Sequence, residues 1–220
     1  MNARELSALV ATIVGLASTS WYIYLLVQRK KVKPVLATWI VLSVTIGLSL
    51  LTYVTAPRHN LVSNIGNSLG LLNCLSILVT ILWVSRNDPH EVHFSPRQKK
   101  ILAWASGIFL LWILIVLWRG LHGSGILPNI LLQVLILVGY AFTAEKLWHA
   151  RENTEPLFTW WCINVSSLFA AGTAYYSDDW LAFAFSLRGT LGCSVLLWRM
   201  HIAEARAKAD RLIHAEKLRI

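Results

Sequence analysis

Residues 33–39 read KPVLATW, and a similar sequence, EPLFTWW, returns 122 residues later at residues 155–161. Each copy stands where a charged segment meets a long apolar run. A proline in the first turn of a helix loses no hydrogen bond, because the first backbone amides have no partner within the helix. Both copies therefore predict the start of a helix, with Pro34 and Pro156 fixing the angle at which the chain enters.

The two copies belong to a longer internal repeat. The same offset places Thr45 on Ser167, and it places the segment that ends at Tyr53 on the segment that ends at residues 175–176. A period of more than about 100 residues is too long for a solenoid. It indicates a duplicated helical bundle, which is a common feature of transporters.

The composition is that of an integral membrane protein. Apolar residues make up 56% of the 220 residues, charged residues make up 14%, and the mean hydropathy is +0.56. An apolar helix of about 20 residues crosses a bilayer, and the runs here are too continuously apolar for barrel strands. The sequence therefore predicts an all-α fold with seven transmembrane helices, at residues 6–28, 34–55, 61–85, 100–118, 126–147, 157–176 and 180–199.

The predicted spans form a three-plus-one-plus-three pattern. Because one extra span separates the halves, spans 1–3 and 5–7 cross the membrane in the same direction and form two parallel triple-helix bundles. Span 4 has no polar stripe, so we expect it to be a lipid-facing connector. The chain divides into a first repeat, a loop with linker span 4, a second repeat and a C-terminal amphipathic helix, at residues 1–86, 87–122, 123–198 and 199–220.

The basic residues predict the orientation. Sixteen of the 20 Lys and Arg residues fall in the loops after spans 1, 3 and 5 and in the tail after span 7. By the positive-inside rule this side is cytoplasmic, so the N-terminus is outside and the membrane is expected to be a bacterial inner membrane. The charge of +9 is divided among short loops, which argues against a nucleic-acid-binding surface.

No catalytic, cofactor or metal motif is expected. The three cysteines each lie inside an apolar run without CxxC spacing. His90 and His93 have a weakly metal-like spacing, but Pro89 and Pro96 break any helix that would align them, which favours a solvated loop. Without a nucleophile–base motif, a phosphate loop or a pair of intramembrane carboxylates, the sequence does not indicate an enzyme.

The topology and the repeated proline segments resemble the SWEET and PQ-loop transporter superfamily, with some likeness to nicotinamide riboside transporters. The likeness covers the whole chain as topology, and as residues it covers 33–39, 155–161 and the asparagines of span 3. It implies a facilitator that binds a small solute midway through the membrane, between two triple-helix bundles, with asparagine and tryptophan side chains and proline hinges. Pro34 and Pro156 match the hinges, whereas a Pro-Gln pair is absent and span 7 has no asparagine.

Span 3 carries the first candidate substrate contacts. Asn64 and Asn67 recur with Gly70 and Cys74 near one helix face, and Asn73 lies at the edge of that face. Small and polar residues in a membrane helix also serve tight helix packing and interhelical hydrogen bonds. Packing and substrate contact therefore both remain open for these asparagines.

Spans 2 and 6 carry a second set. Trp39 and Trp161 are equivalent under the 122-residue offset, and Asn164 follows on the same predicted span as Trp161. Most of the other tryptophans fall at predicted water boundaries, where an amphipathic ring is stable. On span 6, Trp160 shares one face with Asn164, so both members of the Trp160–Trp161 pair are of interest. The candidate substrate contacts of this set are Trp39, Trp161 and Asn164.

Arg188 is a cation near the middle of span 7, and no acidic residue shares its predicted depth. A charge at the centre of the bilayer costs roughly 2.5–3.5 kcal/mol on insertion scales, so it should face a wet cavity or a counter-ion. It could be structural, bonded to helix-end carbonyls or to Asn67, or it could contact an anion or a carboxylate.

Taken together, these features predict a facilitator of a small polar or anionic solute that works by alternating access. The alternative is a subunit that does not transport and instead assembles a larger membrane complex. The expected partners are the lipid bilayer, the solute and, through the C-terminal helix, a second copy or a membrane-complex partner. That helix interleaves apolar and charged positions, which suits either a membrane surface or a docking partner.

Overall fold

The chain folds as seven α-helices and no strand in the part that the structure, a computed structural model, describes: residues 1–28, 32–55, 60–86, 95–120, 126–150 and 152–217. The all-helical prediction is confirmed. His90, His93 and the basic loop at residues 29–31 lie outside the described residues. The helices are α1 Ala3–Val27, α2 Leu36–Val54, α3 Ile65–Ser85, α4 Pro96–Arg119, α5 Ile126–His149, α6 Leu157–Tyr175 and α7 Trp180–Lys217.

Six of these helices are long and apolar enough to cross a membrane, which is compatible with an integral membrane protein. The exception in the described chain is α6. It has 19 residues, and Thr, Ser, Asn and Gly dilute its apolar content. This composition has a packing reason, because α6 lies between α1 and α7 and small side chains allow both neighbours to approach closely.

The helix starts follow local capping chemistry. Asn2 caps α1 by accepting a hydrogen bond from the Glu5 backbone amide at 2.9 Å, and the Glu5 carboxylate accepts one from the Asn2 amide at 3.1 Å. The repeated prolines stand just before their helices: Pro34 lies two residues before the start of α2, and Pro156 is the N-cap of α6. The predicted helix starts are therefore confirmed to within two residues.

The seven helices pack in a regular pattern. Helix α3 contacts both α1 and α2, and α7 contacts both α5 and α6. Between these groups the most extensive contacts join α1 to α6 and α2 to α5, while α4 packs mainly on α5. The last helix continues without a break from the bundle to Lys217, as the tail sequence predicts.

Two carboxylates, the buried Glu155 and the partly buried Asp179, mark the two ends of the bundle and give those ends their names here. At the Glu155 end, α1, α3, α5 and the bundle part of α7 finish, and α2, α4 and α6 begin. At the Asp179 end these relations are reversed, since Tyr53 near the end of α2 bonds Asp179 at the start of α7. The odd-numbered helices therefore all run in one direction and the even-numbered helices in the other.

Candidate functional site

A small cavity lies between helices α2, α3, α5, α6 and α7, which line it. It leaves about 50 Å³ for the centres of water-sized groups. Space of that size is enough to hold water, since the smallest cavity that admits one water has about 10–15 Å³ of such volume. The cavity is therefore a candidate site for a small ligand rather than a packing defect.

Helices α2 and α6 contribute equivalent residues to the cavity wall. Both helices have 19 residues, and α6 begins at Leu157, 121 residues after α2 begins at Leu36. At this offset the lining residues of one helix fall on those of the other: Trp39, Leu42 and Ile46 on Trp160, Ile163 and Ser167. The offset of 122 predicted from the sequence was one residue too long.

Because the offset is 121 rather than 122 residues, the residue equivalent to Trp39 is Trp160 and not Trp161. Trp160, which is 1% exposed, faces Trp39 with ring centroids 6.1 Å apart, and both line the cavity. Trp161 is 47% exposed on the outside of the bundle, with its ring 6.5 Å from that of His201. The tryptophan pair expected from the repeat exists, but its second member is Trp160.

Helices α3 and α7 supply the polar part of the wall. They begin at Ile65 and Trp180, 115 residues apart, because the connection between α6 and α7 is shorter than that between α2 and α3. This offset places Asn73 on Arg188, and both line the cavity. The two halves therefore present an amide and a guanidinium at equivalent positions.

Arg188 is buried, with 8% exposure, among neutral groups. Its Nε donates to Gln133 Oε1 at 2.7 Å, its guanidinium carbon lies 4.5 Å from the centre of the Phe185 ring, and the Tyr140 hydroxyl also interacts with it. Its Nη1 is buried without a hydrogen-bond partner. Within the described chain no carboxylate lies at ion-pair distance from Arg188, so its charge is not neutralised.

The Asn73 carboxamide also lacks a hydrogen-bond partner among the described residues, and its Oδ1 is buried. A buried amide in this state loses the hydrogen bonds that it makes to water in the unfolded chain. Asn73 and Arg188 thus place unsatisfied polar atoms at the same cavity from opposite halves. Other buried polar atoms, such as Asn67 Oδ1 and Arg199 Nε, also lack a partner, but those of Asn73 and Arg188 belong to residues that line the cavity.

A polar network closes the bundle at the Glu155 end. The Glu155 carboxylate, whose side chain is 1% exposed, accepts hydrogen bonds from Tyr22 Oη at 3.0 Å and from Lys146 Nζ at 3.1 Å. The indole of Trp160 also donates to it, at a longer 3.5 Å. Lys146 in addition donates to the Lys33 carbonyl, so four segments of the chain meet around one carboxylate.

An aromatic layer separates this network from the cavity. The Tyr22 and Trp39 rings lie 5.2 Å apart, and Trp160 contacts Trp39 on one side and Tyr140 on the other. The rings of Trp39, Tyr140 and Trp160 also line the cavity, so the layer forms its wall on the side of Glu155. The contact between Trp39 and Trp160 therefore joins α2 to α6 at this side of the cavity.

A second network closes the Asp179 end. Tyr53 and Ser63 both donate to the Asp179 carboxylate, and the Tyr53 hydroxyl also accepts from the Asn60 backbone amide at 2.9 Å. The α2–α3 connection is thereby bonded to the start of α7. At each end of the bundle a carboxylate is therefore hydrogen-bonded to residues of the first half of the chain.

The other predicted asparagines lie away from the cavity wall. Asn64 is the N-cap residue of α3 and is buried near the Asp179 end. Asn67 Nδ2 donates to Ser49 Oγ at 3.3 Å, and Asn164 Nδ2 donates to Ser194 Oγ at 3.1 Å. These contacts are the interhelical hydrogen bonds of the packing interpretation.

Several residues at the site were missed from the sequence. Tyr140 and Gln133 occupy one side of α5, but neither has an equivalent that the repeat would have highlighted. In the sequence, Glu155 stands out only as the residue before Pro156. The sequence does contain a hint of its role, because a buried carboxylate directly before an apolar helix requires a partner. Lys146 is the nearest described cation in sequence, and it forms that ion pair.

Comparisons of this chain with protein-family models, with curated proteins and with solved structures find no match. Function is therefore argued from the geometry of the cavity and of its two closures.

Proposed function

We propose that this protein is a facilitator that carries a small polar or anionic solute across a membrane by alternating access between two triple-helix bundles. The observation that supports it best is the cavity between the helices, which both halves of the chain line at equivalent positions. Transporters built from repeats bind their solute at the interface between the repeats, near the middle of the membrane.

Helix packing supports the two-bundle arrangement. Exchanging α1–α3 with α5–α7 preserves the main contacts: α3 and α7 each pack on the other two helices of their group, and the α1–α6 contact becomes the α5–α2 contact. The smaller α3–α6 contact has no counterpart of similar extent between α7 and α2. Because equivalent helices run in the same direction, the pseudo-two-fold axis is parallel to them. Parallel repeats about the membrane normal have this symmetry, and α4 stands outside it as a linker.

The two closures suit alternating access. Opening the Glu155 end would separate Glu155 from Tyr22 and Lys146 while the Asp179 end stays closed, and the reverse motion would release Tyr53 from Asp179. Pro34 and Pro156 stand just before α2 and α6 at the Glu155 end, where a rigid-body rotation of either helix would begin. By the positive-inside rule this end faces the cytoplasm, and the membrane is a bacterial plasma membrane.

The competing function is that of an assembly subunit, and the surface of α4 favours it. Trp104 and Leu114 on this helix are 76% and 62% exposed, so α4 offers an apolar face to lipid or to another protein. A subunit that only assembles a complex would have no use for a cavity with unsatisfied polar atoms. We therefore place transport first.

Uptake into proteoliposomes tests the proposal with a matched pair of variants. Gly70 lines the cavity, so Gly70→Phe should fill it and abolish flux; Gly107, on α4, has no neighbour within 4 Å of an added Cβ, so Gly107→Phe should leave flux intact. The panel comprises sugars, nucleosides and small organic acids. Absence of flux across the panel, together with a stoichiometric partner on purification, would overturn transport in favour of assembly.

A further inference from the structure

We propose that the solute is a small anion, of a few non-hydrogen atoms, that binds the Arg188 guanidinium in the central cavity. The inference builds on the proposed function by naming the class of its solute. Binding is nevertheless testable without any measurement of flux, so the two proposals can fail separately.

The charge around Arg188 supplies the first argument. Its two polar neighbours, Gln133 and Tyr140, are neutral, and no described carboxylate pairs with it. A buried cation without a counter-ion is unfavourable in a low-dielectric interior, and it becomes favourable when an anion enters. A neutral solute would leave the guanidinium as unpaired as it is in the empty cavity.

The orientation of the guanidinium supplies the second argument. Gln133 Oε1 accepts a hydrogen bond from Arg188 Nε at 2.7 Å, and the centre of the Phe185 ring lies 4.5 Å from the guanidinium carbon. These contacts fix the plane of the group and leave the edge formed by its two terminal nitrogens, of which Nη1 has no partner. Planar oxyanions such as carboxylates bind such an edge through two parallel hydrogen bonds.

The volume of the cavity and the side chain of Asn73 supply the third argument. The cavity leaves about 50 Å³ for the centres of water-sized groups, which favours a solute of a few non-hydrogen atoms. Acetate, bicarbonate and nitrate are of this size, whereas a hexose is several times larger. Asn73, at the position equivalent to Arg188 and without a hydrogen-bond partner, provides a neutral polar group for the other side of the anion.

The first test compares acetate with acetamide, which has the same shape and no charge. Purified protein is kept in a gluconate buffer, because gluconate supplies the same ionic strength but is too large for the cavity. We expect acetate to raise the melting temperature and to give a saturation-transfer NMR signal, both of which acetamide lacks. Equal responses to acetate and acetamide, or no response to acetate and nitrate, would overturn the inference.

The second test builds a counter-ion into the protein. In Gln133→Glu a carboxylate takes the place of the amide oxygen that Arg188 already contacts at 2.7 Å, so it competes with the bound anion. We expect the acetate affinity to fall at least tenfold while the melting temperature without ligand stays the same or rises. Gln98→Glu is the matched control, because Gln98 belongs to the capping box of α4, where glutamate is equally suitable.

Further variants separate an anion site from a structural arginine. Arg188→Lys should keep weak acetate binding and Arg188→Gln should abolish it, with a folded protein in both cases. Unchanged acetate affinity in Gln133→Glu would overturn the inference, as would loss of fold in Arg188→Gln with unchanged affinity in Arg188→Lys. Acetate binding without flux would overturn only the proposed transport function, and flux of a neutral solute without acetate binding would overturn only the anion site.

Discussion

Glu155→Gln is expected to loosen the Glu155 end of the bundle without disturbing the rest. The substitution keeps the shape of the side chain and one acceptor oxygen, but it removes the charge that Tyr22 and Lys146 share. The new amide hydrogens face groups that are themselves donors. We therefore expect the closed form of this end to lose stability relative to an open form in which Lys146 is solvated.

The free-energy cost of Glu155→Gln to the closed form can be worked out from the hydrogen bonds of Glu155. Hydrogen bonds to a charged group contribute about 1.5–3 kcal/mol each, and breaking a buried ion pair costs about 3–5 kcal/mol. The Lys146 side chain is 20% exposed, so water offsets part of its loss, and the Trp160 contact at 3.5 Å is too long to add much. A net effect of about 2–3 kcal/mol corresponds to a shift of about 30- to 150-fold toward the open form.

The native cysteines supply the assay. Cys74 lines the cavity and is 6% exposed, so its reaction with a maleimide in a protein lacking Cys162 and Cys193 reports opening. We expect faster labelling in Glu155→Gln and an unchanged rate in Glu152→Gln, since Glu152 belongs to the same segment but is exposed. A labelling rate in Glu155→Gln within twofold of the parent, with the melting temperature also unchanged, would refute the assignment of Glu155 as a closure.

Two further outcomes are expected. Asp179→Asn weakens the bonds from Tyr53 and Ser63 at the other end, so Cys74 labelling should again accelerate, and a slower rate would show that Asp179 does not hold that end closed. Trp160→Ala should lower the stability by about 3–5 kcal/mol, whereas Trp161→Ala should change it by less than about 1 kcal/mol, because the two rings are 1% and 47% exposed. Equal melting temperatures for this last pair would contradict the observed register.

The helices could be predicted from the sequence because six of them have the length and apolar composition of membrane spans, and α6 has a helix start signal at Pro156 and an apolar run of similar length. The seven predicted spans match the seven helices, and the proline segments lie within two residues of the starts of α2 and α6. Hydropathy and local capping act over a few residues, so one sequence suffices to detect them. Which helix packs on which could be proposed only from the resemblance.

The site was harder to predict, because it depends on register and on distant pairs. A shift of one residue turns a helix by about 100°, which was enough to exchange Trp160 for Trp161 in a segment where the two are adjacent. The hydrogen bonds at the two ends of the bundle join residues such as Tyr22 and Glu155, 133 positions apart. No periodicity within one helix contains that information.

Under the proposed duplication, the two halves pack similarly but contribute different polar residues to the cavity, and this difference bears on the proposed solute. Residues near a pseudo-two-fold axis lie close to their own equivalents, so an arginine at both equivalent positions would place two cations around one small cavity and raise their repulsion at low dielectric. With Asn73 in one half and Arg188 in the other, the cavity carries a single positive charge and a neutral polar partner. That combination is neutralised by one monoanion, whereas a symmetric pair of amides would have no preference for charge.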